Sequence, residues 1–353
     1  MSSVQIKSPD SAQADAVNDA PPDTATADTR KSSRLSRETL NIAGVFLLCV
    51  LAMLAARWIN PNAGGYQQLE TILVLCSFLV VVAFGQGLVV LIGGLDLSIP
   101  SVITLGGILT AVWVGADGGI VKTCAVLAAC AGVGVLNGLG IGIFKVPAFI
   151  MTLAMGIIVY SLCLGATGGS PNGVSPKALT WLMSGRAAGI PVIVIFTVIG
   201  AVIAYLVQSR TRFGIRLYAM GSNPTAARFA GLHTLRLTLM TYALCGLLAG
   251  VTGMLLVGYS NGATLRMGEP YLLPSVAAVV IGGSAISGGR GSFLGTLAGA
   301  LLLTILDMII SSLGFSQGWR TVISGAIILF AILLQHEGAM DYLRSLKGRN
   351  STT

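Results

Sequence analysis

The stretch TILVLCSFLVVVAFGQGLVVLIGGLDLS, residues 71–98, decides the fold class of this chain. Positions 71–92 carry no charged side chain, and about 20 apolar residues in a helix are enough to cross the hydrocarbon core of a bilayer. Two glycines follow, and Gly is a poor residue for continuing a helix. The stretch therefore predicts a transmembrane helix that ends at a Gly-rich turn, after which the next span begins.

The composition of the whole chain extends this conclusion. Of its 353 residues 54% are hydrophobic and 10% are charged, whereas an ordinary soluble protein has about 25% charged residues. Only five carboxylates lie between Thr39 and His336, too few to cover a water-facing surface: Glu70, Asp96, Asp117, Glu269 and Asp307. The net charge of +8 comes from residues scattered among loops without an aromatic-basic face, so nucleic-acid binding is excluded.

Ten segments of the chain qualify as transmembrane helices, and the predicted fold class is an all-α integral membrane protein. The third and eighth segments are short and interrupted by Gly. The ten segments are approximately 41–58, 71–92, 100–114, 120–144, 147–167, 190–208, 237–257, 271–286, 292–313 and 320–335.

The distribution of Lys and Arg predicts the orientation and the domain limits. With both termini in the cytoplasm, 15 of the 21 basic residues fall on the cytoplasmic side, as the positive-inside rule requires. The segment 1–38 is polar and rich in Asp, Ala, Ser, Thr and Pro, a composition typical of a disordered tail. A transmembrane domain then spans 39–336 with its longest cytoplasmic loop at 209–236, and a cytoplasmic tail covers 337–353.

The chain lacks the residues that catalysis or metal binding would need. It has two histidines, no HExxH pattern and no Gly-Lys dipeptide, so a phosphate-binding P-loop is absent. The six cysteines lie in apolar runs without CxxC spacing, which indicates packing residues rather than metal ligands or disulfide partners. We therefore expect a non-enzymatic chain without catalytic, cofactor or metal sites; any ATP and Mg²⁺ would bind to another subunit.

The 209–236 loop contains a predicted two-turn helix. Asn223 is a good N-cap, Pro224 suits the first helical position, and Gly231 suits the C-terminal stop. The small residues Ala226 and Ala227 would let the helix sit deep in a groove of a cytoplasmic partner. Alternatively, Arg228 and the other arginines of this loop hold a simple connector at the lipid headgroups.

Five motifs, in order along the chain, resemble the permease subunits of bacterial ABC importers for monosaccharides of the ribose/xylose/arabinose type. The 223–231 helix resembles the coupling helix of that family. Pro100 stands where a small residue is expected, and 271–275 replaces an acidic stretch, so the individual sugar stays open. The motifs, within a resemblance that extends from Leu69 to Leu334, are GGLDLS (93–98), NGL (137–139), KVPAFIMTL (145–153), GG (282–283) and GGRGS (288–292).

This resemblance implies a location and a set of partners. The chain would be a multi-pass protein of the bacterial inner membrane that forms a translocation path with a second permease copy. A cytoplasmic ATP-binding subunit would dock beneath it, and a periplasmic binding protein would deliver the substrate.

Two other kinds of transporter, and a non-transporting membrane protein, are the alternatives. A branched-chain amino-acid ABC permease is closely related, but the GGLDLS and KVPAFI motifs favour the sugar importers. An ion-coupled secondary transporter usually needs ionisable groups inside its spans, and it would leave the 223–231 helix unexplained. A purely structural role does not account for ten spans with Gly-broken junctions.

Polar residues within the spans are the candidates for the translocation path. Gln86 and Asn137 carry amides that suit sugar hydroxyls, whereas Asp96 lies at a membrane edge and Asp307 inside a span. Each residue also has an interpretation as a hydrogen-bonding contact between helices. Thr152 and Ser161 fit that second interpretation better, because their hydroxyls can bond to their own helix.

The predicted topology can be tested by cysteine labelling from outside the cell. We expect an impermeant reagent to modify engineered cysteines in the 168–189 loop and to leave those in the 211–234 loop unmodified. The reverse pattern would show that the orientation is wrong.

Overall fold

A computed structural model describes most of the chain. The described residues are 24–59, 65–314, 316, 318, 319, 321–323, 325, 326 and 329, with the side chains of 24–38 and 59 left out. The described residues from Leu40 onward form one compact unit. The predicted tenth span, 320–335, and the C-terminal tail, 337–353, lie largely or wholly outside the described residues.

The described part consists of helices and one short hairpin. The helices are α1 (Thr24–Ile59), α2 (Tyr66–Leu91), α3 (Ile99–Ile108, continued by a π-turn Leu109–Val114), α4 (Ile120–Gly142), α5 (Ala148–Thr167), α6 (Lys177–Ser184), α7 (Val192–Arg210), α8 (Arg212–Ser222), α9 (Pro224–Phe229), α10 (Thr234–Ser260), α11 (Leu272–Ile281, preceded by a 3₁₀ turn Glu269–Tyr271) and α12 (Phe293–Ser312). The antiparallel hairpin pairs β1 (Arg186–Ala187) with β2 (Ile190–Pro191).

The predicted all-α, multi-span fold is confirmed. Seven helices in the described residues are long and apolar enough to cross a membrane, and two shorter apolar helices, Ile99–Val114 and Glu269–Ile281, occupy the predicted third and eighth spans. The hairpin and the α8–α9 pair lie at opposite ends of α7, so we call the two faces of the bundle the hairpin side and the α9 side. Which side is cytoplasmic stays a prediction.

Helix α1 begins at Thr24, inside the segment for which we expected a disordered tail. The segment 24–38 contains several good helix formers, among them Ala, Arg, Lys, Leu and Glu. Once a helix is nucleated by an apolar span, each added residue contributes one further hydrogen bond. The segment 1–23 lies outside the described part, so the nature of the tail stays a prediction.

Helix α11 ends at Ile281, short of the predicted limit at position 286, and helix α2 ends in the same way. Gly93 and Gly283 adopt left-handed φ values of 78° and 90°. Gly93 N donates to Val90 O, and Gly283 N donates to Val280 O, each at 2.8 Å. The residues after these glycines, 94 and 284, donate to the carbonyls of 89 and 279, which completes a Schellman motif in both places. Left-handed glycines stop both helices.

The centre of the bundle is α10, whose glycines and those of its neighbours allow direct backbone contact. A Cβ on Gly134 of α4 would collide with Tyr242 O of α10, and one on Gly246 of α10 would collide with Cys130 O of α4. A Cβ on Gly106 of α3 would lie 2.9 Å from the Cα of Gly250. Between apolar helices in lipid, such close packing is a main source of association.

Substitution of Gly134 tests the importance of this contact. Gly134→Ala should lower the thermal stability of the detergent-purified protein, because forcing apart packed elements typically costs about 1–3 kcal/mol. Gly132→Ala is the matched control on the same helix, since nothing lies within 4 Å of a Cβ there. Tryptophan fluorescence during heating measures both variants. Equal melting temperatures would contradict the proposed role of the α4–α10 contact.

Candidate functional site

The predicted two-turn helix is present as α9, with the expected residues at both ends. Asn223 Oδ1 accepts a hydrogen bond from Ala226 N at 2.9 Å, which is the N-cap interaction. At the other end Gly231 has φ 81°, and Leu232 N donates to Ala227 O at 3.0 Å. The helix is therefore closed at both ends by its own residues.

The orientation of α9 differs from our expectation at Ala227. Its side chain is only 5% exposed and belongs to the main hydrophobic core of the chain itself, so it does not face a partner. Phe229, by contrast, is 89% exposed. Pro224, Ala226 and Arg228 are exposed as well. The exposed surface of α9 is thus centred on Phe229, and Ala227 anchors the helix to the bundle.

Helix α8 precedes α9 and was not predicted by our sequence analysis. It begins at the N-cap Thr211, whose hydroxyl accepts a hydrogen bond from Gly214 N at 3.3 Å. Its buried residues Gly214, Leu217 and Met220 recur every third position, so one face of the helix lies against the bundle. That spacing is a helix signal in the sequence, but the arginines on the opposite face obscured it.

The C-terminal half of α8 is fixed to the two Gly-rich junctions of the bundle. A Cβ on Gly221 would collide with Leu91 O, at the end of α2. Gly289 N, which follows α11, donates to the same Leu91 O at 2.8 Å. Tyr218 OH donates to Gly291 O at 2.6 Å and accepts from Gln208 Nε2 at 3.0 Å. The C-terminal half of α8 therefore contacts the end of α2 and the loop between α11 and α12.

A buried polar cluster holds the junction between α2 and α3. Asp96 Oδ1 accepts hydrogen bonds from Ser98 N at 2.9 Å and from Ser98 Oγ at 2.6 Å. Asn137 Nδ2 of α4 donates to the same Ser98 Oγ at 2.9 Å. Thr152 Oγ1 of α5 accepts from Leu97 N at 3.0 Å and donates to its own helix, at Ala148 O. The cluster fixes a non-helical segment inside the bundle, where unsatisfied backbone groups would be costly.

Three of the predicted path residues lie in the packed interior. Gln86, Asp96 and Asn137 are fully buried, and none of them lines either of the two cavities described below. In the described part, both polar atoms of the Gln86 side chain, Asn137 Oδ1 and Tyr242 OH are buried without a hydrogen-bond partner. Whether these residues contact a substrate in another conformation stays a prediction.

Two cavities flank the segment that connects α10 to α11. The larger, about 690 Å³, is lined by the predicted path residue Asp307 of α12 together with Thr304 and Tyr271. The smaller, about 290 Å³, lies between α3 and α5 and includes Ser101 and Tyr160. Arg266 and Glu269 line both cavities and form an ion pair, with Nε and Oε1 3.2 Å apart. Our sequence analysis did not select this pair, because both residues fall between the predicted spans 237–257 and 271–286 and only polar residues within spans were considered.

Two features of the described residues bear on metal binding and on catalysis. No group of three or more His, Cys, Asp and Glu side chains among them could hold a metal ion. The stretch 258–262, GYSNG, has the GxSxG spacing of hydrolase nucleophiles. Ser260, however, ends helix α10 and donates to Leu256 O at 2.8 Å, whereas the hydrolase motif requires a turn from a strand into a helix.

The sequence matches a known permease family over most of its length. The family described as "branched-chain amino acid transport system / permease component" matches residues 68–332. The ribose import permease protein RbsC of Escherichia coli (strain K12) is 33% identical over 83% of this chain and 92% of that protein. RbsC of Bacillus subtilis (strain 168) is 34% identical over 83% of this chain and 91% of its own length. The galactose/methyl galactoside import permease protein MglC of Escherichia coli (strain K12) is 29% identical over 84% of this chain and 94% of its own.

Substitution of Asp96 tests the buried polar cluster. Asp96→Ala should lower the melting temperature in detergent, because a buried donor left unsatisfied at Ser98 costs about 1–3 kcal/mol. Asp96→Asn keeps an acceptor oxygen and should lie between that variant and the native protein. Asp117→Ala, at an exposed position in the turn after α3, is the control. An Asp96→Ala protein as stable as the control would contradict a structural role for the carboxylate.

Proposed function

The chain belongs to this family of transport-system permease components, and on that basis we propose that it is the membrane-spanning subunit of an ATP-driven importer for a monosaccharide. It is not an enzyme in this proposal, since ATP and Mg²⁺ bind to a separate cytoplasmic subunit. A periplasmic binding protein delivers the sugar, and a second permease copy completes the path in the bacterial inner membrane.

The single observation that carries the proposal is the α8–α9 unit. It joins an exposed aromatic side chain, Phe229, to a helix that packs backbone-to-backbone against the end of α2. The sequence has no P-loop of its own. These three features support a coupling element that is moved by another protein. They are the exposed contact surface, its rigid connection to the spans and the absence of a nucleotide-binding motif.

The relatives support a sugar over a branched-chain amino acid as the substrate. The family description mentions branched-chain amino acids, but the relatives compared above are named as ribose and galactose import permeases. They share 29–34% identity with this chain across more than four-fifths of its length. An ion-coupled carrier would give Asp307 a role, yet it would leave the α8–α9 unit without one.

The proposed coupling route follows from the contacts of α8. Movement of the ATP-binding subunit would shift α9 through Phe229, and α8 would move with it. Because Gly221 is in direct contact with the carbonyl of Leu91, this shift would displace the α2–α3 junction with no intervening gap to absorb it. Close-packed elements transmit such displacements well, since protein interiors have low compressibility.

The experiment is to express the chain with its ATP-binding subunit and binding protein, and to measure both co-purification and uptake of labelled ribose and galactose. Phe229→Ser should reduce co-purification of the ATP-binding subunit and sugar uptake together, by about tenfold or more, because aromatic anchors in interfaces commonly contribute about 2 kcal/mol or more. Ala227→Glu would not be a clean test of this contact, since it would also disrupt the core of this chain.

Trp181→Ser is the matched control. Trp181 is an exposed aromatic residue on α6, at the hairpin side, and its loss should leave co-purification unchanged. Normal co-purification and uptake with Phe229→Ser would show that α9 is only a connector. Uptake of leucine but of neither sugar by the native complex would overturn the proposed substrate class.

A further inference from the structure

The segment between α10 and α11, Asn261–Tyr271, enters the bundle; we call it the descending segment. A Cβ on Gly268 of this segment would collide with Pro100 O, at the first turn of α3. Met267 Sδ lies against Gly107 of the same helix. Gly268 permits this contact because it has no side chain, so the depth of the segment is fixed by backbone packing on α3.

The length of α3 shows how deep this contact lies. Pro100 lies in the first turn of the apolar helix Ile99–Val114. Near the far end of that helix, Ala111 O accepts a hydrogen bond from Val174 N, which precedes α6 on the hairpin side. At about 1.5 Å per residue, the contact with Gly268 lies about 20 Å along the axis from that end. The hydrocarbon core of a bilayer is about 30 Å thick, so the contact lies well inside it.

Helix α10 gives an independent measure of the same depth. It runs from Thr234 at the α9 side to Ser260 at the hairpin side, and its Gly250 packs against Gly106 of α3. Pro100 precedes Gly106 by a little under two helical turns. Gly268 therefore lies about 15 Å from the α9 side and about 24 Å from the hairpin side of α10, measured along the helices. Both measures place it near the middle of the membrane.

The charges on the descending segment make this depth informative. Arg266 and Glu269, on either side of the Gly268 contact, have side chains that are 75% and 55% exposed. A charged group that faces lipid at the bilayer centre costs about 2.5 kcal/mol or more, so intramembrane charges almost always face the bundle interior, a water-filled cavity or a partner. Both side chains line both cavities, and water in these cavities would provide that surrounding.

The shape of the neighbouring helices supports the same assignment. Helix α11 has 10 residues, which is about 15 Å and half a membrane span. Helix α3 also begins inside the bundle, beside the descending segment. Transporters commonly place their substrate contacts near the membrane midplane, at helices interrupted in this way.

We propose that Arg266 and Glu269 form the substrate contact halfway along the translocation path, and that they select an uncharged polyhydroxy compound. This inference rests on the proposed function. A guanidinium only donates hydrogen bonds and a carboxylate only accepts them. A sugar with neighbouring hydroxyls satisfies both partners at once, and the ion pair stays neutral as a unit. The tyrosines of the two cavities, Tyr160 and Tyr271, add flat apolar surfaces for the sugar ring.

Cysteine labelling of the assembled transporter tests the aqueous position without any substrate. In a background with Cys124→Ser, which removes a native exposed cysteine, Arg266→Cys and Glu269→Cys should react with a charged methanethiosulfonate reagent. Ile158→Cys is the control at similar depth. Gly156, two residues earlier on α5, packs against Ser98, and the Ile158 side chain is exposed on the surface of the bundle. We expect labelling at 266 and 269 at least tenfold faster than at 158. Equal or slower labelling would overturn the aqueous position.

Transport measurements test the role in substrate selection. Arg266→Gln and Glu269→Gln should each lower sugar uptake by about tenfold or more, since hydrogen bonds to charged groups are among the stronger ones. They should also change the ratio of ribose to galactose uptake, which a purely structural defect would not. The matched controls are Arg186→Gln and Glu70→Gln, which break the ion pair of 2.6 Å between the hairpin and α2. An unchanged uptake ratio with normal co-purification of the ATP-binding subunit would overturn the selection role.

The two proposals fail in different ways. If the native complex takes up no ribose, no galactose and none of a panel of other pentoses, hexoses and polyols, the proposed function fails, and the selection role fails with it. The labelling experiment still decides the aqueous position in that case. If the native complex transports a sugar but 266 and 269 do not label, only the present inference fails.

Discussion

Direct contact between helix backbones around α10 is the constraint on which the rest of this structure depends. Lipid tails are as apolar as leucine, so helices in a bilayer gain little by hiding apolar side chains and associate largely through close packing. Glycines at 106, 134, 246 and 250 bring α3 and α4 against α10. The positions of the α2–α3 junction, of the descending segment and of both cavities follow from these distances.

The few charged and strongly polar groups occupy the places where this packing leaves the helical pattern. Asp96 and its partners Ser98 and Asn137 satisfy a backbone segment that has no helix of its own. Arg266 and Glu269 lie where a half-span helix begins and where two cavities meet. In a chain with so few charges, both of these interruptions of a helix are thus accompanied by charged or strongly polar groups.

Hydropathy was sufficient to predict the all-α fold, the seven long apolar helices and the two shorter ones at the third and eighth predicted spans. Local residue preferences predicted the caps of α9. The interior of the fold was harder to predict. Whether Ala227 faces the core or a partner depends on tertiary contacts rather than on the local pattern. The position of Arg266 and Glu269 was missed because sequence rules assign charges to loops, and loops to the surface. The contacts of Gly268 with Pro100 and of Met267 with Gly107 show that this loop enters the bundle.

The two closed ends of α9 bear on the thermodynamics of association. A segment that folds only when it binds loses conformational entropy at that moment, and this loss weakens the complex. With Asn223 and Gly231 closing its ends and Ala227 anchoring it, α9 is already ordered before any encounter. Binding of a partner to α9 would therefore not be weakened by the cost of folding it. More of the binding free energy would remain available to move the helices that α8 contacts.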